Sequence, residues 1–169
     1  RAFENIVKFV ATHIGSPLSP NNIAKSLKND GQNIHNTTVE RYLDYLVDSF
    51  VFYKVNRFDL KGKVQLATQE KYYLVDIGLL NILVGKEKTS NRGHILENVV
   101  FLELLRRGNK IWTGSDRNSE VDFVCKTPTG DMEYYQVVWQ MTDGFTQDRN
   151  GIRHLNVFHW LLNNKESQG

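Results

Sequence analysis

Gly93-His94-Ile95-Leu96-Glu97-Asn98-Val99-Val100-Phe101-Leu102-Glu103-Leu104-Leu105 places apolar side chains on nearly every side of a helix. A helix at a protein surface shows one apolar stripe, so this one must be packed on more than one side. The spacing predicts a helix over 94–107, stopped at Gly108. Three β-like runs follow: Lys110-Ile111-Trp112-Thr113, Glu120-Val121-Asp122-Phe123-Val124-Cys125 and Glu133-Tyr134-Tyr135-Gln136-Val137-Val138-Trp139. Pro128-Thr129-Gly130-Asp131 has the turn chemistry to join the last two as a hairpin. A closing helix over 147–162 would bury parts of Ile152, Leu155, Phe158, Trp160 and Leu161. Helix, three strands and helix make an α/β unit beginning at Gly93.

Upstream, Phe3, Ile6, Val7, Val10 and Ile14 recur at helical spacing until Gly15, Pro17 and Pro20 end the run. Ser19 can cap a second helix with Pro20 at its first position and Ile23, Ala24 and Leu27 on its buried face. Asn36 or Thr37 can cap a third, carrying Val39, Tyr42, Leu43, Leu46 and Val47. Phe50-Val51-Phe52-Tyr53-Lys54-Val55 and Tyr72-Tyr73-Leu74-Val75 then read as two strands, with the polar stretch from Arg57 to Glu70 as their loop. A short apolar helix from Asp76 to Leu83 follows. Three helices and a two-stranded wing are the parts of a winged helix-turn-helix. The expected architecture is α+β: a winged helix-turn-helix over 1–84, a linker at 85–92, and an α/β domain over 93–169.

Composition bounds the function. The chain has 169 residues, 40% of them hydrophobic, enough to bury a real core. Cys125 is the only cysteine, which excludes an internal disulfide and fits a reducing compartment, so a cytoplasmic location is expected. No apolar run is long enough to span a membrane. The chain starts at Arg1 within a helical pattern and without methionine, so a fragment of a larger machine is expected. The net charge is +2; the first 63 residues hold nine Lys or Arg against six Asp or Glu, a mild basic bias. Val84-Gly85-Lys86-Glu87-Lys88-Thr89 lacks the glycine and the Ser/Thr of a phosphate loop, so no ATP site is present, and His13, His35, His94, His154 and His159 lack metal-ligand spacing.

Phosphate contact needs cations. On the third helix Glu40, Asp44 and Asp48 surround the single Arg41, beside Thr38, and the loop with Arg57, Lys61 and Lys63 is the better candidate. Trp112 and Trp160 read as core; Trp139 lies where its strand leaves the core. Helix, strand, turn and strand can also bring Glu97, Asp122 and Gln136 together.

At these residues the chain resembles a known family, the C-terminal domain of unknown function that follows many bacterial and archaeal AAA-type P-loop ATPases. The resemblance lies in Tyr72-Tyr73-Leu74-Val75-Asp76-Ile77-Gly78-Leu79-Leu80, in 93–104, in Glu120-Val121-Asp122-Phe123-Val124 and in Tyr135-Gln136-Val137, and covers about residues 35–155. It implies a restriction-endonuclease-like, PD-(D/E)xK core behind the winged helix, with the ATP site in the absent upstream part. It also implies that Glu97 corresponds to the helix acid, Asp122 to the metal-binding aspartate, Gln136 to the second acid and Val138 to the lysine. Active nucleases of this class use Mg²⁺, so Glu97 and Asp122 would be its ligands. A neutral amide is a poorer ligand for a hard cation, and valine cannot orient water. A degenerate, non-cleaving site follows, unless a displaced lysine such as Lys110 or Lys126 compensates. Three functions stay open: a DNA-binding and assembly module of the ATPase with no cofactor of its own, a divalent-metal nuclease, and a protein-interaction module that regulates the ATPase domain or pairs with a second copy.

Overall fold

The computed structural model describes residues 2–60, 64–85, 92–116, 119–138 and 157–162. Among them the protein is mixed α+β. In chain order the elements are α1 (Ala2–Thr12), β1 (Pro17–Leu18), α2 (Pro20–Asn29), α3 (Asn36–Asp48), β2 (Phe52–Asp59), β3 (Val64–Leu74), α4 (Gly78–Val84), α5 (Arg92–Arg106), β4 (Lys110–Asp116), β5 (Ser119–Lys126), β6 (Met132–Tyr135) and α6 (Val157–Leu162). No helix among the described residues is long and apolar enough to cross a membrane.

α1, α2, α3 and α5 form where periodicity predicts helices. The Ser19 hydroxyl accepts from the Asn22 N–H at 3.3 Å, with Pro20 in the first turn of α2. His35, rather than Asn36 or Thr37, occupies the cap of α3 and contributes its carbonyl, not its side chain. The expected strand from Phe50 begins later, at Phe52, because Phe50 takes a left-handed turn (φ 56°) off the end of α3. The expected loop from Arg57 to Glu70 is shorter than its polarity suggests. Strand pairing extends β2 to Asp59 and starts β3 at Val64, since β2 also gains a parallel partner, β4, along Arg57–Asp59. β6 ends at Tyr135, so Gln136 lies just beyond the strand. Of the closing helix expected over 147–162, Val157–Leu162 is helical; the rest, with Trp139, lies outside the described residues.

All six strands join one sheet in the order β1-β3-β2-β4-β5-β6. β1 is only two residues long and starts with a proline, which cannot donate to a ladder; it pairs with β3 at the sheet edge. The sheet joins strands from both sides of the expected boundary at 85–92. β2 and β3 are central, with a core on each face. Side chains alternate along a strand. Phe52, Tyr72 and Leu74 therefore enter a core formed with Ile6, Val10, Ile23, Leu43 and other residues of α1–α4. Val55 and Tyr73 enter a second core with Val100, Phe101 and Leu104 of α5 and Phe123 and Cys125 of β5. The Tyr73 and Phe101 rings stack at 4.5 Å. α5 serves both cores and is bolted to β3 by Asn98, fully buried, whose side-chain amide donates to the Leu74 carbonyl at 2.9 Å and accepts from the Leu74 N–H at 2.8 Å.

Candidate functional site

Side chains from β3, α5 and β5 meet below the first half of α5. On the face of β3 that carries Tyr73 sits Lys71, two residues earlier. Glu97 of α5 reaches both: its Oε1 accepts from the Tyr73 hydroxyl at 2.6 Å and from Lys71 Nζ at 3.1 Å. The same ammonium lies 2.9 Å from Glu120 Oε1 and 4.0 Å from Asp122 Oδ1 on β5. Asp122 Oδ2 accepts from the Gln136 side-chain amide at 2.8 Å and from the Val137 backbone N–H at 2.7 Å. Lys71, Glu97 and Asp122 are buried, while the Glu120 side chain is about half exposed.

Three carboxylates thus face one ammonium, and Lys71, Glu97 and Asp122 each hold a proton more tightly than usual. Burial works against the charged form of Lys71, but Glu97 and Glu120 outweigh it and raise the lysine above its ordinary value. Burial raises Glu97, offset only in part by Lys71 and Tyr73. It raises Asp122 too, against the Val137 N–H and Lys71. Removing two such charges from water is costly, and their attraction compensates only when the geometry and the surrounding hydrogen bonds are good. Here they are: among the described residues no buried side-chain nitrogen or oxygen lacks a partner.

A backbone constraint completes the site. Gly15, in the turn between α1 and β1, has φ +72°, and a Cβ there would lie 3.1 Å from Glu97 Oε2. Its N–H donates to the Tyr72 carbonyl at 3.1 Å, and the His94 ring meets the carbonyl of Ile14. The first ninety residues therefore supply Lys71, Tyr73 and Gly15 to a site whose acids come later in the chain.

Glu97, Asp122 and Gln136 are brought together as the spacing suggested. Lys110 and Lys126 stand opposite each other across β4 and β5, both exposed; the lysine at the acids is Lys71 instead. Val138 is 61% exposed. Lys71 falls between the expected loop, which ends at Glu70, and the expected strand, which starts at Tyr72, so neither reading placed it, although it shares a strand face with Tyr73. Glu120 carried the same signal, two residues before Asp122. Oxygen donors of this kind suit Mg²⁺. As arranged, an ammonium stands among them and two N–H groups hold Asp122, so the carboxylates face hydrogen-bond donors rather than an open coordination position. Among the described residues no group of three or more His, Cys, Asp or Glu is disposed to hold a metal.

The other candidates lie apart. Thr38 is half-buried on α3; Arg41 is exposed, its guanidinium 6.0 Å from the Tyr42 ring centre. Glu40, Asp44 and Asp48 are exposed on the same helix. Arg57, on β2, donates to Gln69 Oε1 at 2.8 Å. Lys61 and Lys63 lie outside the described residues. Trp112 packs beside Phe58, and Trp160 beside Tyr135 under the Arg107 guanidinium. Burial pushes the Cys125 thiol up to about 12, as expected for a core residue.

Residues 1–90 match the family model described as Domain of unknown function (DUF8612). The chain is 34% identical over 152 residues to an uncharacterized protein of Haemophilus influenzae, covering 90% of this chain and 37% of that protein. It is 35% identical over 111 residues to the uncharacterized protein MJ1544 of Methanocaldococcus jannaschii, covering 63% of this chain and 24% of that protein. It thus spans little more than a third of the first relative and about a quarter of the second. No solved structure matches it.

Proposed function

We propose, for this chain that belongs to the DUF8612 family, the role of a DNA-binding and assembly module of a larger AAA-type ATPase, with a winged helix joined to a nuclease-like fold whose acidic site does not cleave. The observation that carries the reading is the closed state of that site. Lys71 bonds to Glu97 and Glu120 and lies beside Asp122, and Gln136 and Val137 hold Asp122 from the other side. Such a cluster ties β3, α5, β5 and the residues just after β6 together, with an ammonium and two N–H groups already engaging the acids. Support for the winged helix comes from the order α1-β1-α2-α3-β2-β3, with β1 pairing β3 beside β2. Support for DNA contact through the β2–β3 hairpin, rather than α3, comes from the exposed carboxylates of α3, which repel phosphates, and from Arg57 on β2.

The test is fluorescence anisotropy of a labelled duplex at about 50 and 200 mM salt, a span over which several phosphate contacts weaken binding strongly. Binding that collapses at the higher salt, with the duplex intact after incubation with Mg²⁺ or Mn²⁺, is the expected outcome. No binding at either salt would move the function to protein interaction alone. One observation favours a second reading, a divalent-metal nuclease: Lys71 stands beside Glu97 and Asp122, supplying the cation that Val138 cannot. Metal-dependent cleavage lost in Lys71→Ala and Asp122→Asn would establish it.

A further inference from the structure

Beside the acidic cluster the sheet opens into a cleft lined by Pro17, Arg57, Gln69, Lys71, Gly114 and Glu120. Two irregularities of the backbone build it. Opposite Val55–Arg57 the register of β3 jumps from Lys71 to Leu66, so three extra residues of β3 bulge from the ladder. Gln69 lies in the bulge with φ 58°, a left-handed conformation rare for a residue with a Cβ. Bulges re-aim side chains and recur next to functional sites, and a strained residue persists only where its surroundings over-determine it. Here the distortion sets Gln69 Oε1 2.8 Å from the Arg57 guanidinium at a solvent-reached position. On the other side of the cleft residue 114 of β4 is glycine: a Cβ there would lie 2.7 Å from Val124 Cγ2 and 3.1 Å from Val121 Cβ of β5, so β4 presents no side chain at this point.

The charge of this cleft differs from that of the cluster behind it. Glu97 and Asp122, which face Lys71 from the rear, are not among its lining residues; at the lining Lys71 is already paired with Glu120, and Arg57 is the further cation. We propose that this cleft seats one backbone phosphate of the bound duplex, with Arg57 as the charge-bearing contact and the bulged Gln69 orienting the guanidinium while offering its amide N–H₂ as a second donor. Planar guanidinium donors match phosphate oxygens two at a time. Thr38 and Arg41 of α3 have no part in this seat. The inference deepens the DNA-binding reading and rests on it for the source of the phosphate.

Two titrations of the whole chain separate the two claims. In ¹H–¹⁵N spectra at low ionic strength, inorganic phosphate is expected to shift the Arg57 Nε–H, the Gln69 side-chain amide and the Gly114 amide. Arg57→Ala should erase these shifts, and the milder Gln69→Ala should weaken them. By anisotropy, Arg57→Ala is expected to weaken duplex binding several-fold and to lower the slope of log affinity against log salt by about one. Phosphate shifts at these groups without duplex binding would keep the seat and sink its assignment to DNA. Duplex binding with the same slope in Arg57→Ala and in Gln69→Ala would overturn the seat while the DNA-binding reading stands. Phosphate shifts confined to other residues would overturn it as well.

Discussion

Lys71 is buried among acids that outnumber it, and each residue of the cluster has a predictable cost of removal. Replacing one partner of a buried ion pair leaves an uncompensated charge, so Lys71→Met is expected to destabilise the fold by about 3–5 kcal/mol in urea titrations. Adding Glu97→Gln should recover part of that loss, because the two changes share one network and do not add. The pH dependence has a definite sign. Lys71 has a folded value above its ordinary 10.5, so its contribution is fully present below about that pH and is lost as pH rises through the raised value. Glu97 is also raised, from an ordinary 4.5. Its folded form therefore binds the extra proton, and stability falls as pH rises from there through the raised value. Thermal unfolding followed across pH should show this fall in the wild type and a flatter profile in Glu97→Gln. Glu97, Asp122 and Gln136 were legible as a group because helix, strand and turn are local readings. Lys71 was not, because it falls between the expected loop ending at Glu70 and the expected strand starting at Tyr72.

At the scale of elements, α5 was the most legible part of the chain, since a helix with so little polar face has to be buried on several sides. The sheet was less so. β1 is two residues that become strand by pairing to β3, and β2 and β3 outrun their β-forming runs because partners on both sides extend them. The start of β2 was misplaced at Phe50, since no glycine marks the left-handed exit from α3. The turn between α1 and β1 shows the same dependence on partners: Gly15 carries its sequence signal as a helix stop, but its φ of +72° and its approach to Glu97 arise from packing. Gly15→Ala is expected to cost about 1–2 kcal/mol from the left-handed backbone alone. The added Cβ would also crowd the carboxylate of Glu97. A chemical-denaturation midpoint unchanged in Gly15→Ala would contradict that account.

For the whole molecule, the central fact is that β2 and β3 lie between two cores. A chain read as a domain over 1–84 and another over 93–169 shares one sheet, and Tyr73 from the first is stacked on Phe101 from the second. Unfolding is therefore expected to be a single cooperative transition. Tyr73→Ala should lower its midpoint, with loss of about 3–5 kcal/mol, and keep it single by calorimetry. Two resolved transitions would mean that the halves are energetically separate. The sequence alone determined where α1, α2, α3 and α5 lie, the Ser19 cap of α2, the α+β class, and the acids at 97 and 122, because periodicity, capping and turn chemistry act over a few residues. Only the tertiary structure decided which cation meets those acids, which face of β3 serves which core, and where Arg57 and Gln69 form a cleft. Those depend on strand register, on a bulge and on the burial of charge, which are set by partners far apart in the chain.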